Sequence, residues 1–239
     1  MFDAPLRTLI DPPLNRAGRW LAGKGIAPDH ITLGGFALGL GCIPANALGV
    51  WWVSLLLLAL NRAADGLDGA VARAGSAVTQ ADSAVARADS AVAQARSPGG
   101  GATTRGTSDA GGYLDIVCDF LFYAGFVFGF ALGDPANRLA AAFLLFSFMG
   151  TGATFLAFAI FAAKHGLTTE LRGKKAFHYL GGLTEGGETI ALFALMLLFP
   201  SAFPPLAWVF GTACWVTSGW RLYHGYRVLR EHAAGQGGS

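Results

Sequence analysis

Two pairs of aspartates stand in stretches of the chain that are otherwise largely apolar. Asp65 and Asp68 are three positions apart, and Asp115 and Asp119 are four apart, so each pair would share one face of a helix. Four carboxylates in one pocket repel one another strongly at low dielectric unless cations neutralise them. Oxygen ligands select hard divalent ions such as Mg²⁺ or Mn²⁺, and a pair of such ions is typical of phosphoryl transfer.

The composition of the chain limits its class. Of 239 residues, 53% are hydrophobic and 13% are charged, whereas a typical soluble domain carries about 25% charged residues. This excludes a disordered chain and a soluble single domain, whose core could not bury so many apolar stretches. The net charge of +2 is too small for a nucleic-acid-binding surface. Cys42, Cys118 and Cys214 are isolated and odd in number, so neither a disulfide framework nor a thiolate metal site is indicated.

Apolar runs long enough to cross a membrane, about 20 residues each, recur along the chain. They lie at about 31–50, 51–72, 112–132, 139–163, 184–199 and 204–226. Residues 1–30 mix cations with spaced apolar residues, which predicts a broken helix on the membrane surface. The sequence therefore predicts an all-α polytopic membrane protein with about six transmembrane helices and an N-terminal interfacial amphipathic helix.

Positive charges fall mostly on one side of this arrangement. The N-terminal segment, the stretches 73–111 and 164–183 and the C-terminal end each hold several Lys or Arg residues, whereas Arg138 is isolated on the other side. Because cytoplasmic loops carry the excess of Lys and Arg, both termini and the acid-bearing ends of the spans are predicted to face the cytoplasm. The predicted location is a bacterial inner membrane.

Acids at membrane depth have several possible roles. An ionised carboxylate is costly there, so a functional role is the first expectation. One alternative is a set of structural ion pairs with Arg62, Arg73 or Arg221. Another is an ion or proton transporter that uses the acids as a relay, although a relay would distribute them across the bilayer and these lie at one face. Two pairs at one depth favour a binding pocket.

The aspartates belong to a longer pattern. Asp65–Arg73 reads DGLDGAVAR, and Gly111–Asp119 reads GGYLDIVCD. This resembles the signature of the CDP-alcohol phosphatidyltransferases, Asp-x-x-Asp-Gly-x-x-Ala-Arg followed by Gly-x-x-x-Asp-x-x-x-Asp, and every fixed position matches. Pro28 and Thr32 are similar to the Pro-x-x-x-Thr element that leads into this family's first span. The chain resembles an uncharacterised bacterial inner-membrane branch of the family.

The resemblance implies a metal site and a reaction. Asp65, Asp68 and Asp115 would be metal ligands, and Asp119 would complete the site and act as general base on an acceptor hydroxyl. The cofactor implied is Mg²⁺ or Mn²⁺, as two ions. A phosphatidyl group would pass from a CDP-linked lipid, CDP-diacylglycerol, to a small alcohol acceptor with release of CMP, in phospholipid biosynthesis. A member that keeps the fold without catalysis is the alternative.

The resemblance also implies a CDP-binding pocket, formed by Gly69, Ala72, Arg73 and Gly111. Candidates for binding the alcohol acceptor or its phosphate are Arg105, Lys174, Lys175, Glu185, Glu188 and Arg221. The basic residues among them are equally typical of loops attracted to anionic lipid headgroups, and the two Glu could simply favour a helix N-terminus. Both interpretations stay open, and with them the identity of the alcohol.

One segment departs from the family pattern. The family usually leaves about eight residues between the signature Arg and the next Gly, whereas positions 74–110 intervene here. Residues 76–97 repeat a seven-residue unit (SAVTQAD, SAVARAD, SAVAQAR) and are followed by glycines. Removing 75–103 would restore the usual gap, so this segment is predicted to be an insertion in a cytoplasmic loop. It is either a docking coiled coil or an Ala-rich, weakly helical insert that buries little area.

The predicted organisation has three parts. A cytoplasmic interfacial segment (1–30) precedes a membrane domain (31–228, interrupted by the insertion 75–103), and a polar tail (229–239) follows it. Small residues at 150–154, in the fourth predicted span, would allow close helix packing. That packing would occur either in a homodimer or within one chain.

Overall fold

The computed structural model describes residues 3–91, 109–165, 184 and 186–236. These residues are mostly helical, with short 3₁₀ turns and no strand among them. The α-helices are α1 (Asp3–Gly23), α2 (Pro28–Leu40), α3 (Cys42–Ala47), α4 (Trp51–Ala91), α5 (Asp109–Gly133), α6 (Arg138–Lys164), α7 (Gly186–Leu198) and α8 (Phe203–Gln236). The predicted all-α class is confirmed.

Each predicted span coincides with one of these helices or a pair of them. α2 and α3 together form the first, the N-terminal part of α4 forms the second, and α5 to α8 form the rest. Among the described residues, α5 and the segment Pro135–Lys164 are each long and apolar enough to cross a membrane. Pro12–Gly23 and Pro28–Ala47 meet that test as a pair bent by 119°. In α4, polar residues of the signature interrupt the apolar run.

The surface of these helices is markedly apolar. Trp52 is 77% exposed, and Leu139 and Met149 are each 72% exposed. Soluble monomers rarely expose large contiguous apolar patches, whereas a helix in lipid can, because its backbone groups are already hydrogen-bonded. The chain is a polytopic membrane protein, as the composition predicted.

Local sequence explains several helix ends. Gly25 (φ 76°) follows α1 and Gly49 (φ 68°) follows α3, a left-handed conformation that other residues rarely adopt. Pro28 lies in the first turn of α2, where its missing N–H is not needed. After α5, the Asp134 carboxylate accepts a hydrogen bond from the backbone N–H of Ala136 at 2.8 Å. These residues fix where the chain turns between helices.

The chain divides into two compact units. The first unit comprises Met1–Cys42 and Leu55–Tyr123, and the second comprises Ile43–Ser54 and Ala124–Ser239. The whole of the signature pattern belongs to the first unit.

Small residues bring the helices of the first unit close together on α4. A Cβ atom placed on Gly18 of α1 would lie 2.8 Å from the Cβ of Ala70. One placed on Gly35 of α2 would lie 2.6 Å from the Cβ of Ala64. Both distances are shorter than real Cβ contacts. α1 and α2 therefore pack against α4, which carries the first half of the signature and is called the signature helix below, only because these positions are glycine.

Aromatic rings fill the core of the second unit. Phe126 stacks on Phe193 with ring centroids 4.0 Å apart, and Phe130 stacks on Phe203 at 4.4 Å. All four side chains are buried, and stacked aromatic pairs add to the stabilisation from buried area. These contacts join α5 to α7 and α8.

The small residues of the fourth predicted span lie on α6. A Cβ on Gly150 would lie 3.2 Å from the ring of Trp215 and 3.3 Å from the Ser218 Oγ of α8. At this position the small residue serves packing within one chain, which is one of the two possibilities that the sequence left open.

Candidate active site

Three aspartates of the signature converge between two helices of the first unit. Asp65 lies on α4, and Asp115 and Asp119 lie on α5. One carboxylate oxygen from each lies within 4.8 Å of the others. Three oxygen donors this close, with no sulfur or nitrogen ligand among them, fit a hard divalent cation such as Mg²⁺ or Mn²⁺.

The fourth aspartate makes a different contact. Asp68 Oδ2 accepts a hydrogen bond of 2.6 Å from the hydroxyl of Thr32, in the first part of α2. A hydroxyl-to-carboxylate distance this short is typical of a charge-assisted hydrogen bond. Asp68 lines the same cleft as the other three aspartates, so the contact with α2 holds its carboxylate at the edge of the cluster.

An arginine lies against the cluster. The Nη2 of Arg62 donates to Asp119 Oδ1 at 2.9 Å, and its Nη1 lies 3.5 Å from Asp65 Oδ2. The ion pairing weighed for Arg62 from the sequence is therefore present. Arg62 thus pairs with two of the four signature aspartates, and Asp68 is hydrogen-bonded to Thr32 instead.

A second hydrogen-bonded residue supports this arginine. The Oδ1 of Asn61 accepts a hydrogen bond from Arg62 Nε at 2.9 Å, and the Nδ2 of Asn61 donates to the Gly35 carbonyl at 2.9 Å. Asn61 is buried, and a buried amide is stable only when its polar atoms are hydrogen-bonded. α2 thus anchors Asn61, and Asn61 anchors Arg62.

These side chains enclose one narrow cleft within the first unit. Its described lining comes from α2, α4 and α5 and consists of Thr32, Gly35, Phe36, Asn61, Arg62, Asp65, Asp68, Asp115, Cys118 and Asp119. The walls are polar on the α4 and α5 sides. Such a cleft suits a small charged ligand group better than an apolar one.

The residues expected to hold CDP lie nearby along the same helices. Arg73 is exposed, and its Nη2 donates to the Oδ1 of Asn15 on α1 at 3.2 Å. A Cβ on Gly69 would lie 3.2 Å from Arg73 Nη1, so the glycine leaves room for the guanidinium. Ala72 and Gly111 are partly exposed, on α4 and in the first turn of α5 respectively.

The expected acceptor residues are divided between described and undescribed parts of the chain. Glu188, in the first turn of α7, and Arg221, on α8, belong to the second unit. The guanidinium of Arg221 lies 5.6 Å from the ring centre of Phe155. The remaining four lie outside the described residues: Arg105, Lys174, Lys175 and Glu185.

The sequence did not identify the supporting roles of Asn15 and Asn61, nor the contact between Thr32 and Asp68. For Asn61 a signal was available, because it precedes Asp65 by one helical turn in an apolar span. Residues four apart share a helix face, so a buried polar residue at that spacing indicates a neighbour of the site.

Comparison with known proteins places the chain in a family. Its sequence is 45% identical over 232 residues to the inner membrane protein YnjF of Escherichia coli (strain K12), covering 97% of this chain and 98% of YnjF. It is 30% identical over 128 residues to the archaetidylinositol phosphate synthase of Pyrococcus horikoshii, which covers 54% of this chain and 53% of that protein. The chain belongs to the CDP-alcohol phosphatidyltransferase family. No protein-family model matches the sequence.

Solved structures share the fold of this CDP-alcohol phosphatidyltransferase. The phosphatidylinositol phosphate synthase (PgsA1) of Mycobacterium tuberculosis with CDP-DAG bound superposes with a TM-score of 0.56 at 19% identity, covering 89% of this chain and 93% of the other. The same enzyme in complex with manganese and citrate gives a TM-score of 0.56 at 18% identity, covering 89% and 88%. The likeness therefore extends over most of both chains.

Proposed function

We propose that this enzyme transfers a phosphatidyl group from CDP-diacylglycerol to a small alcohol and releases CMP. The observation that carries the proposal is the convergence of carboxylate oxygens from both halves of the signature to within 4.8 Å. The mycobacterial structures support it, because one holds CDP-DAG and another holds manganese. Transfer from a diphosphate is typically assisted by divalent metal ions, and a cluster of carboxylate oxygens is suited to bind them.

In this proposal Asp65, Asp68 and Asp115 are metal ligands and Asp119 completes the site, with Mg²⁺ or Mn²⁺ bound as two ions. Bound divalent ions supply the positive charge that polarises the diphosphate and stabilises the leaving CMP. The role of the protein is to hold the metal-binding carboxylates in place. α4 and α5 present the carboxylates, and the hydroxyl of Thr32 fixes the orientation of Asp68.

Asp119 is also the proposed general base. The acceptor oxygen attacks the lipid-side phosphorus, the bond from that phosphorus to the CMP oxygen breaks, and the hydroxyl proton passes to the Asp119 carboxylate. Because Arg62 donates to Oδ1 of Asp119 at 2.9 Å, Oδ2 is the oxygen proposed to take the proton. A base in this position contributes about 10²–10⁴-fold to the rate.

Gly69, Ala72, Arg73 and Gly111 are proposed to bind the CDP moiety. Glycine and alanine permit the ligand to approach the helix backbone, and the Arg73 guanidinium matches a phosphate group in a two-point geometry. The acceptor is proposed to be a small alcohol that carries its own phosphate, held by the basic residues of the loops. Archaetidylinositol phosphate synthase, the archaeal relative, supports including an inositol phosphate among the candidates.

The proposed location is the inner membrane, with both termini and the active site on the cytoplasmic side. The excess of Lys and Arg in the N-terminal segment and in the stretches 73–111 and 164–183 supports this orientation. The name of the bacterial relative, an inner membrane protein, supports the choice of membrane. A water-soluble alcohol acceptor would reach the site from the cytoplasm, and the released CMP would return there.

The test is CMP release from radiolabelled CDP-diacylglycerol by the purified enzyme, with a panel of acceptors that includes glycerol 3-phosphate and inositol phosphate. The lipid product identifies the alcohol. Asp115→Asn and Asp119→Asn should each lose activity by about a thousandfold or more, and chelation should abolish it until Mn²⁺ or Mg²⁺ is restored. Asp109→Asn is the matched control, because Asp109 is an exposed acid on the same helix.

Full activity in Asp115→Asn and Asp119→Asn would refute the proposal. So would metal-independent release of CMP. Proton or ion flux in proteoliposomes without CMP release would instead favour the transporter alternative.

A further inference from the structure

The side chain of Arg62 contacts two of the three carboxylates that converge in the cleft. Its Nη2 donates to Asp119 Oδ1 at 2.9 Å, and its Nη1 lies 3.5 Å from Asp65 Oδ2. Asp65 and Asp119 are also two of the three residues whose oxygens lie close enough to hold a metal ion. The arginine and a metal ion would therefore bind to the same carboxylates.

Arg62 is built into the site and is not a loose surface cation. Its side chain is 20% exposed, and its Nε donates to Asn61 Oδ1 at 2.9 Å. Its Cζ atom lies 5.1 Å from the ring centre of Phe122. An exposed ion pair is held by little besides the pair itself, whereas here an amide and an aromatic ring also hold the guanidinium.

We infer that Arg62 is the permanent counter-cation of the aspartate cluster and competes with the divalent ion for Asp65 and Asp119. The inference rests on the proposed function, since it concerns the metal that the cluster would bind. The guanidinium stays charged at all physiological pH values. It keeps part of the acid cluster paired when no metal is bound, and it weakens metal binding because it repels a second cation and occupies carboxylate lone pairs.

This role is distinct from catalysis. Arg62 acts through carboxylates that bind the metal. Its substitution should therefore change the metal affinity directly and the turnover rate only as a consequence. A residue that merely orients a ligand raises metal affinity, and its loss typically weakens binding by 10–100-fold. A competing cation has the opposite sign, which makes the two roles separable by experiment.

The test is the Kd for Mn²⁺, measured on purified, chelator-stripped enzyme in detergent from the EPR signal of free Mn²⁺. Arg62→Gln removes the charge and should tighten binding by about tenfold or more. Arg62→Lys keeps a charge near the carboxylates and should stay within about threefold of wild type. Arg227→Gln is the matched control, because Arg227 pairs with Glu231 at 2.7 Å on an exposed surface, and its Kd should not change.

Thermal unfolding gives a second reading of the same inference. Without metal, Arg62→Gln should unfold at a lower temperature than wild type. Added Mn²⁺ should raise the unfolding temperature of Arg62→Gln by more than it raises that of wild type. If Arg62→Gln does not fold, Arg62→Met, which keeps the apolar stem against Phe122, replaces it.

Equal or weaker Mn²⁺ binding in the neutral variants would overturn the inference. It would leave the proposed function intact provided that wild type binds Mn²⁺ and Asp115→Asn does not. Failure of wild type to bind Mn²⁺ at all would overturn the metal site of the proposed function and this inference with it.

Discussion

The hydroxyl of Thr32 donates a 2.6 Å hydrogen bond to Oδ2 of Asp68, which links the start of α2 to the signature helix. The two residues are 36 positions apart in the chain. The contact explains why a threonine follows Pro28 by four residues at the start of the first span. It places the element that precedes the signature directly against one of its aspartates.

Thr32→Val should weaken Mn²⁺ binding by about tenfold, because loss of an outer partner frees a ligand to adopt other rotamers. Unlike Arg62, Thr32 carries no charge, so its removal relieves no repulsion and only the loss of orientation remains. The measurement is the Mn²⁺ Kd together with kcat/KM for CMP release.

Thr212→Val is the control for this substitution. The hydroxyl of Thr212 donates to the Trp208 carbonyl within α8, and both residues belong to the second unit, whereas the signature aspartates belong to the first. Thr32→Ser should restore most of the affinity. Unchanged Mn²⁺ binding in Thr32→Val would show that Asp68 is held by other contacts or is not a metal ligand.

The apolar runs predicted the helices well where the membrane decides their length. The third predicted span, 112–132, corresponds to α5 at Asp109–Gly133, and the fourth, 139–163, corresponds to α6 at Arg138–Lys164. Hydropathy marks the part of a helix that lies in lipid and does not mark where the helix ends. α4 accordingly continues to Ala91, through Ala-rich repeats with high helix propensity.

The contacts within the site were harder to predict than its residues. The spacing of Arg62 and Asp65 shows that they share a helix face, but Asp119 lies 57 positions away from Arg62. Only the packing of α4 against α5 brings those two together. The spacing of residues along the chain can therefore identify the ligands of a site without revealing the partners that neutralise and orient them.

Gly129→Ala should destabilise the second unit. A Cβ at this position would lie 2.8 Å from the carbonyl oxygen of Ile43 and 2.9 Å from the Cβ of Asn46. Backbone atoms cannot rotate away, so α3 and α5 would have to separate, at a cost of about 1–3 kcal/mol typical of overpacking. The measurement is the unfolding temperature of the purified enzyme in detergent.

The control is Gly219→Ala on α8, where a Cβ would have no neighbour within 4 Å. Alanine should be neutral there or stabilise the helix by up to about 1 kcal/mol. Equal unfolding temperatures for Gly129→Ala and wild type would mean that α3 and α5 tolerate a wider separation.

Arg73→Ala should raise the KM for CDP-diacylglycerol by about tenfold or more, because it removes a two-point phosphate ligand. Arg73→Lys should recover part of the loss, since lysine keeps the charge and lacks the planar fork. Asn15→Ala should have a smaller effect of the same kind, because Asn15 accepts a 3.2 Å hydrogen bond from Arg73 and so orients it.

Steady-state kinetics with varied CDP-diacylglycerol measures these effects. Arg138→Ala is the control, as an exposed arginine at the start of α6. A fall in kcat with unchanged KM in Arg73→Ala would contradict a substrate-binding role and point to one in the chemical step.

Deletion of residues 75–103 should leave CMP release within about threefold of wild type. The described contacts that place the signature helix lie outside the deleted segment, because Gly18 meets Ala70, Asn15 meets Arg73 and Arg62 meets Asp119. Changing the length of a connection alters its closure entropy only slightly, by about 0.6 kcal/mol per doubling. The site should therefore form whether the insertion is present or not.

A second variant separates the length of the insertion from its sequence, by replacing residues 76–97 with a Gly-Ser segment of equal length. Both variants should match wild type if the insertion is a tolerated addition. A gain of tenfold or more in the deletion alone would mean that the segment obstructs substrate entry. A loss in both variants would mean that the heptads themselves support the site, since the replacement keeps the length of the segment and removes its side chains and its helix propensity.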